Sequence, residues 1–200
     1  AVLSIAPSDP NTVFASIGNG SISNAGTWLC RSTHGGDTWS VMSTTDYATY
    51  QGWYSHDVAV NPVNALEVTA VGIEVWKSTT GGAGLTKKSS QDSAFYGVVP
   101  QGGPEGTATY VHADIHQVLY HPSLPSTIYF ATDGGVFRSQ DGGATFSGLN
   151  GGYQTSQFYA GFGNAALDTI PAIGGMQDNY TAIYSGSPAW SRVIGGDGSW

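Results

Sequence analysis

The chain has 200 residues, 40% of them hydrophobic and 12% aromatic, with 29 Gly, 9 Pro and only 10% charged residues. That is too much to bury for a disordered or collagen-like polypeptide. Six Lys+Arg against 14 Asp+Glu give a formal charge of −8, so there is no basic footprint for nucleic acid. No apolar run approaches the roughly 20 residues of a membrane-spanning helix. The single cysteine, Cys30, has no internal disulfide partner and no zinc-type neighbours, and burial preference predicts a core thiol. The chain opens at Ala1 on a strand-like VLSIA and closes at GGDGSW. Together with the low Lys content, this predicts a mature or truncated piece of a longer secreted bacterial protein, extracellular or at the cell surface.

No helical period is sustained, and short β-branched and aromatic runs alternate with Gly, Pro, Asn and Asp, which predicts an all-β chain. Three similar segments follow one another. Each opens with an apolar run ending in Pro: SIAP at 4–7, VAVNP at 58–62 and VLYHP at 118–122. A second run follows at 12–17, 66–71 and 127–132. A third leads into a Gly-rich turn, as WLCRSTHGGDTW at 28–39, VWKSTTGG at 75–82 and VFRSQDGGATF at 136–146. Arg31, Lys77 and Arg138 hold the same place in each. A fourth unit, with QFYAGF, IPAIGG, TAIYSG and WSRVI as its runs, begins at Gln157. Four antiparallel strands per unit of this length are what a β-propeller blade requires. The expected blades are 1–45, 55–90, 112–150 and 157–200, with an inserted exposed loop at 89–110.

The Gly-Gly turns carry a family resemblance. Ser-x-Asp-x-Gly-x-Thr-aromatic, intact as Ser139, Asp141, Gly143, Thr145 and Phe146, resembles the Asp-box of the BNR-repeat propellers, which include sialidases, xyloglucanases and sortilin-like receptors. The first copy has His34 in place of Asp and keeps Ser32, Gly36, Thr38 and Trp39. The second keeps Ser78 and Gly82. The resemblance implies a structural role: the Asp accepts backbone N–H bonds, the glycines supply positive φ and the aromatic packs between sheets. The run from HADIHQ to GGDG is also similar to large secreted bacterial BNR-repeat proteins of unassigned function. Propellers of this superfamily generally use six or more blades. The resemblance therefore implies a protein partner or remaining chain that completes the ring and covers apolar sheet faces at its ends.

Blade connectivity sorts the polar residues. The Gly-Gly turns and Pro loops fall on one side, and the lead-ins to first strands and the second turns on the other. On that second side lie His56 and Asp57, then His112, Asp114 and His116, then Asp133, then Gln177, Asp178 and Asn179, and Asp197. In extended chain His112, Asp114 and His116 would point to one side. Two imidazoles and a carboxylate suit a transition metal, whereas Asp133, Asp178 and Asp197 suit Ca²⁺. Equally, these residues could cap turns and tie blades together. Trp53 and Tyr54, in an aromatic loop with Tyr47 and Tyr50, and His56, Gln177 and Asn179 are candidates for binding a ligand such as a glycan, or the rings pack beneath the loop.

The superfamily's enzymes set demands. A sialidase needs three arginines around a carboxylate, and here Arg31 and Arg138 lead into turns on the wrong side. A xyloglucanase-like glycoside hydrolase needs two carboxylates about 5–5.5 Å or 6.5–9.5 Å apart. Asp57, Asp114, Asp133, Asp178 and Asp197 are the candidates, with no pair singled out. The expectation is therefore a non-enzymatic binding or scaffold module, with a polysaccharide hydrolase as the alternative. Sequons stand at Asn19 and Asn179.

Overall fold

A computed structural model describes residues 1–18, 26–99, 102–151, 156–159, 163–165 and 168–198; the Asn19 sequon lies outside them. The first sheet holds β1 (Val2–Ala6), β2 (Asp9–Ile17), β3 (Trp28–Ser32) and β4 (Ser40–Ser43). The second holds β5 (Asp57–Asn61), β6 (Asn64–Val71), β7 (Val75–Ser78) and β8 (Thr86–Lys87). After β9 (Gly97–Val98), the third holds β10 (Ile115–Tyr120), β11 (Ile128–Thr132), β12 (Gly135–Ser139) and β13 (Ser147–Gly148). The fourth holds β14 (Gly163–Ala165), β15 (Asp168–Gly175), β16 (Thr181–Tyr184) and β17 (Ser191–Ile194). The strands of each sheet form an antiparallel meander in chain order, and the fourth sheet adds β9 beyond β17. No helix among the described residues is long and apolar enough to cross a membrane.

The first three sheets stack as blades, with β1 against β5 and β5 against β10. Cross-strand register assigns the faces. Val58, Ala70 and Trp76 share one face of the second blade, while Ala59, Thr69 and Lys77 share the other. The first face packs on Ala6, Phe14 and Leu29 of the preceding blade. The second packs, with Val71 and Val75, on Val118, Ile128, Phe130 and Phe137 of the next. Covered on both sides, β5 is buried at every residue, so DVAVN shows no polar alternation.

The Gly-Gly turns close the third hairpins in a common way. The hydroxyls of Ser32, Ser78 and Ser139 accept the amides of Gly36, Gly82 and Gly143 at 2.9, 3.1 and 2.8 Å. Asp141 adds bonds from the Ala144 and Thr145 amides and the Thr145 hydroxyl, and these hold its pKa down at about 2 despite an opposing effect of burial. His34 keeps one of them, to Thr38 Oγ1 at 3.1 Å. Phe146 packs edge-on to Phe130, 5.5 Å between centroids. Trp39, expected between sheets, is exposed, since among the described residues no sheet packs on that side of the first blade.

Two further expectations change. Residues 89–110 are more than an exposed loop: they carry a short 3₁₀ turn and β9, which pairs with β17 as the outer strand of the fourth sheet. Ser89 and Tyr110 at the two ends are buried, and Glu105 meets Arg192 of β17 at 3.4 Å. Cys30 is half-buried rather than in the core, paired with Ala15 on the outward face of the first blade.

Gly82 shows why the turn sequence matters. A Cβ there would lie 3.0 Å from Met42 Cβ, 3.1 Å from Phe14 Cε1 and 3.2 Å from Leu29 Cδ2, whereas at Gly36 only Trp39 comes within 4 Å. Both have positive φ, +96° and +106°, so backbone strain is common to the two. Gly82→Ala is therefore expected to cost about 1–3 kcal/mol more than Gly36→Ala, through overpacking alone. Chemical denaturation of both variants measures the difference, and equal losses would show that the seam accommodates a methyl group.

Candidate functional site

The second turns and lead-ins meet on one side of the sheets. Asp133, in the β11–β12 turn, is the hub. Its Oδ1 lies 2.8 Å from His116 Nε2, and its Oδ2 accepts the Tyr54 hydroxyl at 2.8 Å. Its carbonyl accepts from Asn179 Nδ2 at 3.0 Å. The Tyr54 ring stands edge-on to His116, 4.9 Å between centroids. Asp114 accepts from Gln51 Nε2 at 3.1 Å and from the Ser55 hydroxyl at 3.4 Å. Loops of the second, third and fourth sheets thus converge on a few carboxylates.

Asp178 completes the cluster. Its carboxylate accepts from Gln177 Nε2. Its backbone amide donates to Asp197 Oδ1 at 2.9 Å, which also takes the Tyr159 hydroxyl at 3.1 Å. Carboxylate oxygens of Asp114, Asp133 and Asp178 lie within 4.8 Å of one another. Three carboxylates this close cannot all ionise freely, and one must keep a proton or share a cation. Burial and then the Asp133 carboxyl raise Asp178 to about 6. Asp114 is also raised, by burial and then by the Asp133 charge. Asp197 is lowered, first by the Asp178 amide.

The extended run expected at 112–116 is broken in the structure. Asp114 has φ +56°, so the chain leaves extended form there and His112, Asp114 and His116 do not line one side. His112 is buried, with Nε2 2.9 Å from the Asp178 carbonyl and Nδ1 3.1 Å from that of Ala113. Neither nitrogen turns a lone pair to a metal. The donors that come together are carboxylate oxygens, which suit a hard cation such as Ca²⁺ better than a transition metal.

Asp57 and His56 also face inward. Asp57 is buried and accepts the amides of Val58 and Val118, each at 2.8 Å, tying β5 to β10. His56 Nδ1 meets the Ser16 hydroxyl at 2.7 Å, and its pKa is lowered by burial. Tyr47 is fully buried with its hydroxyl on Ser16, while Trp53 and Tyr54 keep 58% and 41% of their surface exposed beside the acidic cluster. A cavity of about 210 Å³ opens next to it, walled by Tyr96, Tyr110 and Tyr180 and floored by His112, Asp114 and Asp178. Sequence reasoning missed Gln51, Ser55 and Tyr96, for a lone polar or aromatic residue in a loop carries no spacing signal.

No family model matches the chain, and no curated protein does. Solved structures do. A GH74 enzyme from Niastella koreensis is similar over 96% of this chain and 30% of its own, at 19% identity and TM-score 0.56. The GH74 xyloglucanase from Xanthomonas campestris is similar over 94% of this chain and 30% of its own, at 14% identity and TM-score 0.50. YCF48 from Cyanidioschyzon merolae aligns more loosely, over 96% of this chain and 55% of its own, at 15% identity and TM-score 0.46. The GH74 likenesses show the fold: the four antiparallel sheets are part of a β-propeller, and the chain spans about 30% of those structures' length.

Because Asp178 is raised in the folded state, its contribution to stability is full below about pH 4 and is lost as pH rises through about 6. Asp141 acts oppositely, stabilising above about pH 4 and failing as pH falls towards 2. Asp178→Asn is expected to raise the Tm at pH 8 and to leave it nearly unchanged near pH 3.5. Melting curves at the two pH values check this, and equal shifts would show that Asp178 is ionised throughout.

Proposed function

We propose that this chain is a non-enzymatic binding or scaffold segment of an extracellular or cell-surface protein, part of a BNR/Asp-box-type propeller. The observation that carries this reading is that the clustered carboxylates are taken up by side chains of other loops. A glycosidase pair stands about 5–5.5 Å or 6.5–9.5 Å apart, with substrate or water between. Here carboxylate oxygens of Asp114, Asp133 and Asp178 lie within 4.8 Å of one another, those of Asp133 hold Tyr54 and His116, and Asp114 holds Gln51. The acids thus act as a joint between the second, third and fourth sheets. The exposed rings of Trp53 and Tyr54 next to this joint offer a flat platform for a sugar face. The acidic cluster supplies oxygen donors for Ca²⁺.

One observation favours a second reading, hydrolysis of a polysaccharide. A carboxyl raised to about 6 beside a second carboxyl is the pairing from which general acids are made, and two similar folds belong to GH74 enzymes. A polysaccharide panel separates the two readings. The expected outcome is no turnover, with retained glycan binding weakened about tenfold by Trp53→Ala, a loss of about 1.4 kcal/mol. Turnover that Asp114→Asn or Asp133→Asn abolishes, with binding intact, would replace the scaffold reading by the hydrolase. For the cation, Ca²⁺ is expected to raise the Tm of the wild type at pH 7.5 but not that of Asp133→Asn. The same rise in both would remove the cluster as its site.

A further inference from the structure

Among the described residues, no sheet packs on the outward face of the first blade. In the second blade Val58, Val60, Val68 and Ala70, and in the third Val118, Tyr120, Ile128 and Phe130, face the preceding blade and are at most 5% exposed. Register places Leu3 and Ile5 at the positions of Val58 and Val60, opposite Ala15 and Val13. Yet Leu3 is 61% and Ile5 59% exposed. Trp28 and Val41 extend the same face and are exposed too, with Cys30 between them.

The covered seams show what belongs there. The third-strand cations of the first and second blades each reach over the Gly-Gly turn of the next blade. Arg31 Nη1 lies 1.9 Å from where a Cβ on Gly81 would stand, and Lys77 Nζ donates to the Gly142 carbonyl at 2.6 Å. The first blade has the same turn. Gly35, Gly81 and Gly142 have φ +66°, +72° and +73°. Their amides donate to the equivalent carbonyls of Asn11, Leu66 and Ser126. At Gly35, however, a Cβ would meet nothing within 4 Å.

We propose that the outward face of the first blade, with the Gly35-Gly36 turn, is a docking seat for a further four-stranded blade that carries Arg or Lys on its third strand. Leu3, Ile5 and Trp28 take up its apolar face, and the Gly35 carbonyl takes its cation. The seat rests on the reading of the chain as part of a larger propeller, and not on what the acidic cluster binds. A second copy stacked end to end fits less well, because the fourth sheet has Ile183 where Arg31, Lys77 and Arg138 stand in the others.

Cys30 is the chain's only cysteine and lies within the seat, so its labelling by a thiol reagent reports coverage. The test places a copy of residues 1–55, with Cys30→Ser in the copy, directly before Ala1, so that Ala1 takes the place of His56. Cys30 labelling is expected to slow about tenfold or more relative to the 200-residue chain, equivalent to about 1.4 kcal/mol of docking. Arg31→Met in the added copy, or Leu3→Glu in the seat, is expected to restore it. Circular dichroism reads whether the added strands form. Unchanged labelling beside a folded copy overturns the seat. A copy that stays unfolded overturns it as well, since a matching face should order the blade. Concentration-dependent dimers of the 200-residue chain that protect Cys30 would overturn it in favour of a second copy. Polysaccharide turnover would end the non-enzymatic reading and leave the seat standing.

Discussion

The architecture depends on a turn that presents backbone where other turns present side chains. One Ser hydroxyl accepts the amide of the glycine four residues on, in all three Gly-Gly turns. That bond holds two successive positive-φ glycines in a loop with no Cβ to obstruct a neighbour. Phe14, Leu29 and Met42 approach Gly82 to about van der Waals contact, and Lys77 reaches the Gly142 carbonyl. Blade stacking follows from this close approach, and the apolar seams from the stacking. The Asp of the turn is a reinforcement. Its bonds are made at Asp141, mostly missing at His34, and the turn keeps its shape in both.

On the opposite side the logic is reversed, and side chains carry the joint. Asp133 gathers Tyr54, His116, Asn179 and Asp178 from three sheets. A hub of this kind is electrostatically tense, because its oxygens are close and partly shielded from water. It tightens when a proton or cation is present and loosens when the carboxyls ionise together. One side of the stack is therefore held by nearly pH-independent contacts and the other by titrating ones.

Much of the fold was legible in the sequence, and the reasons are particular. The spacing of Arg31, Lys77 and Arg138 marked three equivalent third strands, because each stands directly before the turn serine, and Arg31 and Lys77 there meet the Gly-Gly turn of the next blade. Connectivity alone put the acidic residues on one side. What failed was local. HxDxH read as an extended run, but Asp114 takes a left-handed conformation that nothing in its neighbours signals. Cys30 was expected in the core because burial preference assumes both faces of a sheet are covered, and here, among the described residues, one is not. Residues 97–98 read as loop because a two-residue strand has no periodicity, and its partner lies far along the chain.

That last pairing has a consequence for the order in which the molecule assembles. The first three sheets are built from strands adjacent in sequence and can form as each leaves the ribosome. The fourth cannot be completed in that way, since its outer strand β9 emerges before the third blade and must wait for β17. Such non-local pairing is slow to find. Until it is found, the backbone of β17 is an open edge available to other chains. The strap that seals the finished sheet is thus also the step at which a nascent chain is most exposed to misassembly.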